Sequence, residues 1–386
     1  MAKNFPLYAI NCINTIENHG FEAWFVGGCV RDMLLGRAFD DIDIATNALP
    51  QDIMKIFGHT IPTGIEHGTV TVVLDKKTIE VTTYRSDGIY DDNRHPNSVV
   101  FEKNIESDLS RRDFTINAFA LNSKDKIIDI FGGREDLDNK LIRCVGDAEK
   151  RFSEDALRIL RGYRFSCTLG FDIEKSTLEA ALKLGDLVQN ISGERILGEL
   201  KKLITGDNFK LFIDFINRGF LEFCGIGTIR ENLDLLSALE KSWRLRLPIL
   251  LALSNVDTEK FLSVLKPDKS LINSANILKE MSTLDIPITK KDIKLLLFKY
   301  SKEKVIMYFE YLKVLGKDTH NLYLSLEEIE RNCEPYLVSH LAIKGEDLIK
   351  IGIKGKEIGE TLNSLCLYVI ENPSKNEPSH LLKFNH

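Results

Sequence analysis

The sequence predicts an α+β protein: a mixed α/β domain at the N-terminus, followed by an all-helical region. Up to about Ile130, β-rich runs such as "GTVTVVL" (68–74) and "KTIEVTTY" (77–84) alternate with short helical patterns. From Ser153 onward, apolar residues recur at a spacing of three to four, which is typical of amphipathic helices. A chain of 386 residues is also longer than one hydrophobic core usually grows, so we expect at least two domains.

The segment "DIFGGREDLDN" (129–139) lies where the sequence changes from mixed to helical patterning. Strand patterns fade after Arg134, and Gly132 and Gly133 tolerate backbone angles that other residues avoid. We therefore predict a hinge in this segment.

The bulk composition indicates a globular, untargeted protein. Apolar residues make up 44% of the chain and charged residues 28%. No apolar run approaches the ~20 residues that a membrane helix needs, and the N-terminus lacks a basic start followed by a long apolar stretch. The net charge of −6 disfavours a nucleic-acid partner unless basic residues cluster locally.

The cysteine pattern predicts free thiols in a reducing cytoplasm. Seven cysteines are dispersed along the chain and none forms a C-x-x-C pair, so a zinc site is not expected. They are Cys12, Cys29, Cys144, Cys167, Cys224, Cys333 and Cys366.

The stretch "FVGGCVRDMLLG" (25–36) predicts a strand, a glycine turn and a helix. Gly27 and Gly28 would let a phosphate approach the first N–H groups of the helix, and Arg31 would add a positive charge nearby. The alternative is a tight strand-to-helix turn with no ligand, since short glycine motifs are weakly specific.

The next element, "DIDIAT" (41–46), predicts a metal site. Because side chains alternate along a strand, Asp41 and Asp43 would share one side while Ile42 and Ile44 face the core. Two adjacent carboxylates repel unless a cation lies between them, and Mg²⁺ prefers oxygen ligands. Asp40 is expected to face solvent, and the alternative for the whole motif is a polar strand edge.

A third carboxylate would complete a two-metal site for phosphoryl transfer. Glu80 is the candidate, because it is the one acid within the apolar strand "TIEVTTY". The alternative is an edge-strand acid that faces water.

Taken in order, these motifs resemble the signatures of class II tRNA nucleotidyltransferases, the CCA-adding enzymes, and of the related bacterial poly(A) polymerases. The stretches that carry the resemblance are "GGCVRD", "DIDIAT", "DLSRRDFTINAFAL" (108–121), "DIFGGREDL" and "RFSEDALRILRGYRF" (151–165). The resemblance covers about the first two hundred residues. It implies a polymerase-β-like nucleotidyltransferase head with a mixed sheet, followed by an all-helical neck, body and tail.

The resemblance also implies roles for individual residues. Asp41 and Asp43 would bind the metal ions, and Gly27, Gly28 and Arg31 would hold the incoming triphosphate. In "RRDFTINA", Arg112 and Asp113 would contact the nucleotide phosphates and the ribose. The alternative for this last stretch is a basic cap on an amphipathic helix.

In "EDALRILR" (154–161), the spacing places Asp155, Arg158 and Arg161 along one face of a helix. By resemblance, Asp155 and Arg158 read the incoming base without a nucleic-acid template, and Arg161 belongs to the same nucleotide site. A carboxylate acceptor beside a guanidinium donor matches the amino group and ring nitrogen of cytosine and of adenine, whereas uracil and guanine present the reverse order. The alternative is an ordinary surface ion pair.

Three further segments carry additional predictions. The polar loop 85–101 resembles a flexible element that accompanies the switch from adding C to adding A. "SGERILGELKKLI" (192–204) resembles a neck motif in which Glu194 and Arg195 open a helix that steadies the nucleotide pocket. The lysine-rich stretch 288–305 could meet tRNA phosphates, or it could be a solvated helix face.

We therefore predict a nucleotidyltransferase head (1–145), a neck that recognises the base (146–205), and a body and tail that bind tRNA (206–386). The predicted activity is addition of C, C and A to the tRNA 3′ end from CTP and ATP, with Mg²⁺ as cofactor, in the cytoplasm. A poly(A) polymerase, a CC-only or A-only enzyme, and a non-catalytic RNA-binding protein are the alternatives. No histidine-aspartate metal motif is evident, so no added phosphohydrolase activity is expected.

Overall fold

The computed structural model describes residues 2–87, 99–228, 234–253 and 256–383. The chain divides into two compact units. The first comprises Met1–Gly227 with Ser263–Lys266, and the second comprises Thr228–Leu262 with Pro267–His386. The predicted boundaries at 145 and 205 both fall inside the first unit and stay predictions.

The N-terminal part of the first unit is built on a mixed sheet. Among the described residues this sheet has seven strands in the order β3-β4-β5-β2-β1-β8-β9. The β2–β5 pair is parallel and its other pairs are antiparallel, as the predicted mixed sheet requires. Its strands are β1 Ala23–Val26, β2 Asp43–Thr46, β3 Thr60–Gly64, β4 Thr69–Leu74, β5 Lys77–Thr83, β8 Ala120–Leu121 and β9 Ile127–Ile128.

Two smaller strand pairs lie outside this sheet. β6 Arg85–Asp87 pairs antiparallel with β7 Val99–Phe101, at the base of the predicted polar loop; residues 88–98 of that loop lie outside the described residues. β10 Leu141–Ile142 pairs parallel with β11 Asp172–Ile173. The β10–β11 pair corrects the prediction of an all-helical neck in one detail, because β11 lies within the predicted neck (146–205). Two-residue strands leave no periodic pattern by which a sequence could reveal them.

Helices make up most of the remaining structure. In the first unit they are α1 Leu7–Asn18, α2 Gly28–Leu34, α3 Pro50–Ile56, α4 Ile105–Ser110, α5 Gly133–Asp138, α6 Ala148–Glu154, α7 Leu157–Leu169, α8 Lys175–Lys183, α9 Gly193–Leu203 and α10 Phe209–Asn217. Beyond residue 228 they are α11 Asp234–Ser237, α12 Trp243–Leu253, α13 Thr258–Leu265, α14 Lys269–Met281, α15 Lys290–Lys299, α16 Lys302–Val314, α17 His320–Arg331, α18 Gly345–Lys350, α19 Glu357–Glu371 and α20 Pro378–Leu381. Short 3₁₀ turns occur at Ala2–Asn4, Ile65–His67, Thr115–Asn117, Gly185–Asn190, Glu222–Cys224, Val338–His340 and Pro373–Lys375. The predicted architecture, a mixed-sheet head followed by a helical region, is confirmed.

The structure bears on two whole-chain properties: the membrane-spanning potential of the helices and the state of the cysteines. In the described part of the chain, every helix is too short or too polar to cross a bilayer. All seven cysteines are free thiols; Cys333 is exposed and the other six are buried.

The lysine-rich stretch 288–305 is extensively ion-paired within the second unit. Lys290 lies 2.8 Å from Glu328 and 3.3 Å from Glu334, and the buried Lys294 lies 3.2 Å from Glu334. Further pairs are Lys291–Glu371, Lys299–Glu280 and Lys302–Glu330. These contacts favour a structural role for the lysines over the tRNA contact that the sequence also allowed.

The predicted hinge segment forms the capped start of a short helix. Gly132 has a φ of 70°, as its glycine identity suggested, and the Asp129 carboxylate accepts hydrogen bonds from Gly133 N (2.8 Å) and Arg134 N (2.9 Å). A Cβ at Gly133 would lie 2.3 Å from the carbonyl oxygen of Thr115. The second glycine therefore serves close packing against the "RRDFTINA" segment.

Gly133→Ala is expected to destabilise the protein by roughly 1–3 kcal/mol, because the added methyl group forces the two backbones apart. Gly198→Ala in α9 is the control, since its Cβ would meet nothing within 4 Å. Thermal unfolding measures both variants. Equal melting temperatures for the two would contradict the close contact.

Candidate active site

The site begins where β1 passes through two glycines into α2. Gly27 caps α2 with φ 74° and ψ −135°, a conformation that side-chain-bearing residues rarely adopt. A Cβ there would lie 2.9 Å from Nη1 of Arg112 and 3.7 Å from Oδ2 of Asp43. The bare backbone of Gly27 therefore lets a cationic and an anionic side chain approach the turn together.

The predicted carboxylate pair lies on the neighbouring strand. Asp43 is the first residue of β2, and Asp41 lies two positions before it, outside the strand. Ile42 and Ile44 are buried, as the alternation predicts. Asp40 is exposed, also as predicted.

Asp43 occupies an environment that disfavours an isolated negative charge. Burial raises the pKa of Asp43 to about 6; the nearby charges of Glu80 and Asp41 add to the rise, and the guanidinium of Arg112 opposes it. A cation close to these carboxylates would relieve the repulsion.

Glu80 lies beside Asp43 but is exposed. The two residues are register partners in the parallel β2–β5 pair. β5 has β4 on its other side, so Glu80 is not on an edge strand. Within the described ranges, no group of three or more His, Cys, Asp or Glu side chains could hold a metal ion. The predicted three-carboxylate arrangement is therefore not formed in this structure.

Arg31 lines the same cleft and is anchored by two partners. Its Nε and Nη2 donate to the two carboxylate oxygens of Asp32 at 3.0 and 2.8 Å, and its Nη1 donates to Oδ1 of Asn117 at 2.7 Å. The fork of hydrogen bonds fixes the guanidinium plane.

The "RRDFTINA" segment is not an amphipathic helix, so the alternative interpretation of it is wrong. The chain leaves α4, forms a 3₁₀ turn at Thr115–Asn117 and continues into β8. Asp108, at 1% exposure, accepts hydrogen bonds from Arg111 (2.7 Å) and Arg112 (3.1 Å). A buried carboxylate with two guanidinium partners fixes both arginines at the wall of the cleft.

Asp113 is also buried, and its carboxylate is saturated with donors. Oδ1 accepts from its neighbour Phe114 N (2.8 Å) and from Asn117 Nδ2 (3.1 Å), and Oδ2 accepts from Arg161 Nε (2.7 Å). Burial alone would raise the pKa of Asp113, but the Arg161 charge and these hydrogen bonds outweigh it and hold the pKa well below the usual range.

The expectation that Asp155, Arg158 and Arg161 lie along one helix is wrong for Asp155. α6 ends at Glu154 and α7 begins at Leu157, and Asp155 between them has an extended conformation (φ −146°, ψ 102°). Arg158 and Arg161 are in α7, as expected. The helical periodicity runs through the break without interruption, which is why the sequence does not reveal it.

Arg158 is fixed by contacts to both sides of this break. Its Nη1 donates to Glu154 (2.9 Å) and to the Arg151 carbonyl (3.3 Å), and its Nη2 donates to the Arg111 carbonyl (3.0 Å). An arginine has five N–H donors. Among the described contacts, Nε–H and the second hydrogen of Nη2 remain to donate to a ligand.

All the predicted site residues line one cleft of about 720 Å³ within the first unit. Its charged lining consists of Arg31, Arg85, Arg111, Arg112, Arg158, Arg161, Arg164, Arg195 and Lys202 together with Asp32, Asp40, Asp41, Asp43, Glu80, Asp108, Asp113 and Asp155. Most of these arginines are ion-paired, so the cleft can present guanidinium groups without a large unpaired positive charge.

Sequence reasoning missed the partners that orient the predicted residues. The predicted motifs contain Asp32, Asp108, Asn117 and Glu154, yet the roles of these residues depend on contacts that spacing does not specify. Two others come from α9. Arg195 contacts Asp155 at 2.8 Å, and Glu199 contacts Arg164 at 2.6 Å. The neck motif is the one sequence signal for these contacts, since it predicts a supporting role for Arg195.

Comparison with known families agrees with this geometry. A family described as "Poly A polymerase head domain" matches residues 23–143, and one described as "Probable RNA and SrmB- binding site of polymerase A" matches residues 170–223. The glycine turn and the carboxylate pair lie within the first match, whereas Asp155, Arg158 and Arg161 of the cleft lie between the two matches. The matches and the cleft together define a nucleotidyltransferase with a polymerase-type head.

Relatives that match nearly the whole chain show which group of nucleotidyltransferases it belongs to. The CCA-adding enzymes of Lactobacillus helveticus and Pediococcus pentosaceus are 37% and 38% identical to this chain; the alignments cover 97% and 96% of the chain and 96% and 95% of those proteins. The crystal structure of the Bacillus stearothermophilus CCA-adding enzyme in complex with CTP has a TM-score of 0.84 and 33% identity, and the match covers 97% of this chain and 95% of that one. This chain belongs to the family of CCA-adding enzymes, which are metal-dependent nucleotidyltransferases. The resemblance predicted from the motifs is confirmed.

Replacing Asp43 by Asn is expected to stabilise the protein at neutral pH in the absence of divalent cations. The folded-state pKa of about 6 lies above the ~4 of an unfolded Asp, so ionised Asp43 opposes folding. The native carboxyl causes no loss of stability below the unfolded pKa, and the loss grows as the pH rises through the folded pKa. The difference between the unfolded and folded pKa limits the gain in the free energy of unfolding from Asn to about 3 kcal/mol above pH ~6.

Thermal unfolding in EDTA between pH 4 and pH 8 measures this difference. Asp113→Asn is a control that should lower stability at neutral pH. The pKa of native Asp113 is lowered, so its carboxylate stabilises the fold there. An advantage of Asp43→Asn that is the same at both ends of the range would contradict the raised pKa.

Proposed function

We propose that this chain adds C, C and A to the 3′ end of tRNA, using CTP and ATP and releasing pyrophosphate. The observation that carries the proposal is the cleft of the first unit. It brings a carboxylate pair, a glycine turn with arginines, and the Asp155–Arg158 pair to one place. Relatives over the full length of the chain are CCA-adding enzymes, and one solved relative is a complex with CTP.

The Asp155–Arg158 pair supplies the base selectivity in this proposal. Asp155 offers acceptor oxygens, which suit the exocyclic amino group of cytosine or adenine. Arg158 offers Nε–H and one Nη2–H, which suit the acceptor atoms beside that amino group. Uracil and guanine would place a carbonyl against the carboxylate and leave it unpaired, which strongly disfavours their binding.

The glycine turn and the arginines would hold the triphosphate and sugar. The backbone at Gly27 and Gly28 allows close approach, Arg31 and Arg112 supply positive charge, and Asp113 would contact the ribose. The ion pair of Asp113 with Arg161 orients both residues before the nucleotide binds. Positioning and electrostatic stabilisation are the main requirements of phosphoryl transfer.

Asp41 and Asp43 would hold Mg²⁺ together with the substrate phosphates. Mg²⁺ in proteins is usually bound by one or two carboxylates plus phosphate oxygens, so this pair suffices without a third acid. The raised pKa of Asp43 supports the fit, since a desolvated carboxylate beside other acids favours a cation. The metal would supply charge neutralisation at the reacting phosphorus. The exposed Glu80 beside Asp43 is proposed to help activate the attacking tRNA hydroxyl.

Two further proposals concern partners and location. tRNA is the proposed acceptor, and the helical body and tail (206–386) would bind it. The cytoplasm is the proposed compartment, and the seven free thiols support it because a reducing environment preserves them.

An extension assay tests the activity and its alternatives. With tRNA that lacks its 3′ CCA, we expect CTP alone to give two additions, ATP alone to give none, and both together to stop after three. A poly(A) polymerase would extend with ATP without stopping. A CC-only enzyme would stop after two residues, and an A-only enzyme would require a tRNA that already ends in CC.

Asp41→Ala and Asp43→Ala are each expected to lower incorporation of CTP by about 1,000-fold or more, while tRNA binding persists. Asp40→Ala is the matched control, because Asp40 is an exposed neighbour to which we assign no role; its rate should stay within about threefold of wild type. Incorporation and tRNA binding are measured in parallel. Undiminished turnover in either carboxylate variant would remove the proposed metal site.

A further inference from the structure

Asp155 is held at both carboxylate oxygens, from two different elements. Oδ1 accepts a hydrogen bond from the backbone N–H of Leu157 at 3.1 Å, at the start of α7. Oδ2 accepts from Nη2 of Arg195 at 2.8 Å, across 40 positions of sequence. Asp155 lies in the break between α6 and α7, where its N–H donates to the Arg151 carbonyl (3.3 Å) and its C=O accepts from Arg158 N (3.0 Å). The backbone is thus fixed on both sides, and the contacts of Oδ1 and Oδ2 determine the plane of the carboxylate.

Arg195 is poorly arranged for stability alone. Its Nη1 is buried, and no hydrogen-bond partner for it occurs in the described part of the chain. A buried N–H without an acceptor costs free energy, and an ion pair away from bulk water is often no more stabilising than apolar packing. The contact is thus better explained by the orientation it gives Asp155 than by a contribution to folding.

The orientation of Asp155 bears directly on the chemistry of base reading. Each carboxylate oxygen has two lone-pair positions, and the Leu157 and Arg195 contacts use one position on each oxygen. The remaining positions can accept only from a donor that lies in the fixed carboxylate plane. A base with an amino group meets this requirement, and a base with a carbonyl in that place does not.

We propose that Arg195 is a positioning residue: it fixes the carboxylate plane of Asp155 and so sets the discrimination of CTP and ATP against UTP and GTP. This inference rests on the proposed function of the cleft and adds a selectivity role for α9. Without Arg195, Asp155 is held through one oxygen, and rotation about its terminal torsion weakens both the acceptance of an amino group and the rejection of a carbonyl.

Arg195→Gln tests the inference in single-nucleotide addition to tRNA that lacks its CCA end. We expect kcat/KM for CTP to fall by about 10- to 100-fold, the range for a lost charge-assisted hydrogen bond. The value for UTP should fall less, so that the CTP/UTP ratio drops by about 10-fold. Arg195→Lys keeps one charged donor and should recover most of the ratio. If Arg195→Gln folds poorly by thermal unfolding, Arg195→Met, which keeps the aliphatic stem, carries the same expectation.

Arg218→Gln is the matched control. Its Nε lies 2.7 Å from Asp214 in an ion pair of the same kind, outside the lining of the cleft, and its removal should leave the CTP/UTP ratio unchanged. A folded Arg195→Gln variant with the wild-type ratio overturns the inference.

Asp155→Asn separates this inference from the proposed function. A lowered CTP/UTP ratio in Asp155→Asn but not in Arg195→Gln shows that Asp155 reads the base without help from Arg195. That result refutes the inference about Arg195 and leaves the proposed role of Asp155 intact. An unchanged ratio in Asp155→Asn shows that the base is read elsewhere, which refutes the proposed role of Asp155 and the inference with it.

Discussion

A continuous chain of hydrogen bonds from Arg31 through Asn117 and Asp113 to Arg161 organises the cleft. Asn117 accepts from Arg31 through its carbonyl and donates to Asp113 through its amide, so one side chain joins a cation to an anion. Asp113 then accepts from Arg161 in α7. Removing the central carboxylate would leave the guanidinium of Arg161 partly buried without its acceptor. The positions of the helix after the glycine turn, the 3₁₀ turn and α7 thus depend on one another.

The same principle explains why the cleft contains so many charges of both signs. A site for a triphosphate needs fixed cations, yet guanidinium groups close together repel one another. Carboxylates behind the arginines, such as Asp108 and Glu154, remove much of that repulsion and limit side-chain motion. Asp43 differs from these, because burial raises its pKa, the charges of Glu80 and Asp41 add to the rise, and Arg112 only partly offsets it. The acids in and around the cleft therefore differ in role: Asp108 and Glu154 orient arginines, whereas Asp41 and Asp43 are those proposed to hold the metal ion.

The sequence was informative where function follows from local geometry. The glycine turn, the strand alternation that buries Ile42 and Ile44, and the mixed-to-helical change were all predictable from spacing and residue type. The break at Asp155 was not, since apolar periodicity continues through it. Contacts such as Arg195 to Asp155 join residues 40 positions apart, and a single sequence does not record such pairs.

The lysine-rich α15 shows the limit of composition as a guide. A run of lysines in the sequence suggests a surface for phosphates, but the fold brings glutamates from other segments of the same unit against Lys290, Lys291 and Lys294. Charge that is clustered along a sequence can be balanced in space. Only the folded arrangement shows which cations remain for a ligand.

The parallel pairing of β2 limits how this region can change in evolution. β2 has only four residues and is paired on both sides, so Asp43 faces Val26 on one neighbour and Glu80 on the other. A one-residue deletion within 42–46 would exchange the two faces of the strand and put an isoleucine in place of the aspartate. Length variation among descendants of this protein should therefore accumulate in the irregular segment 37–40, while the stretch from Asp41 to Thr46 keeps a constant number of residues.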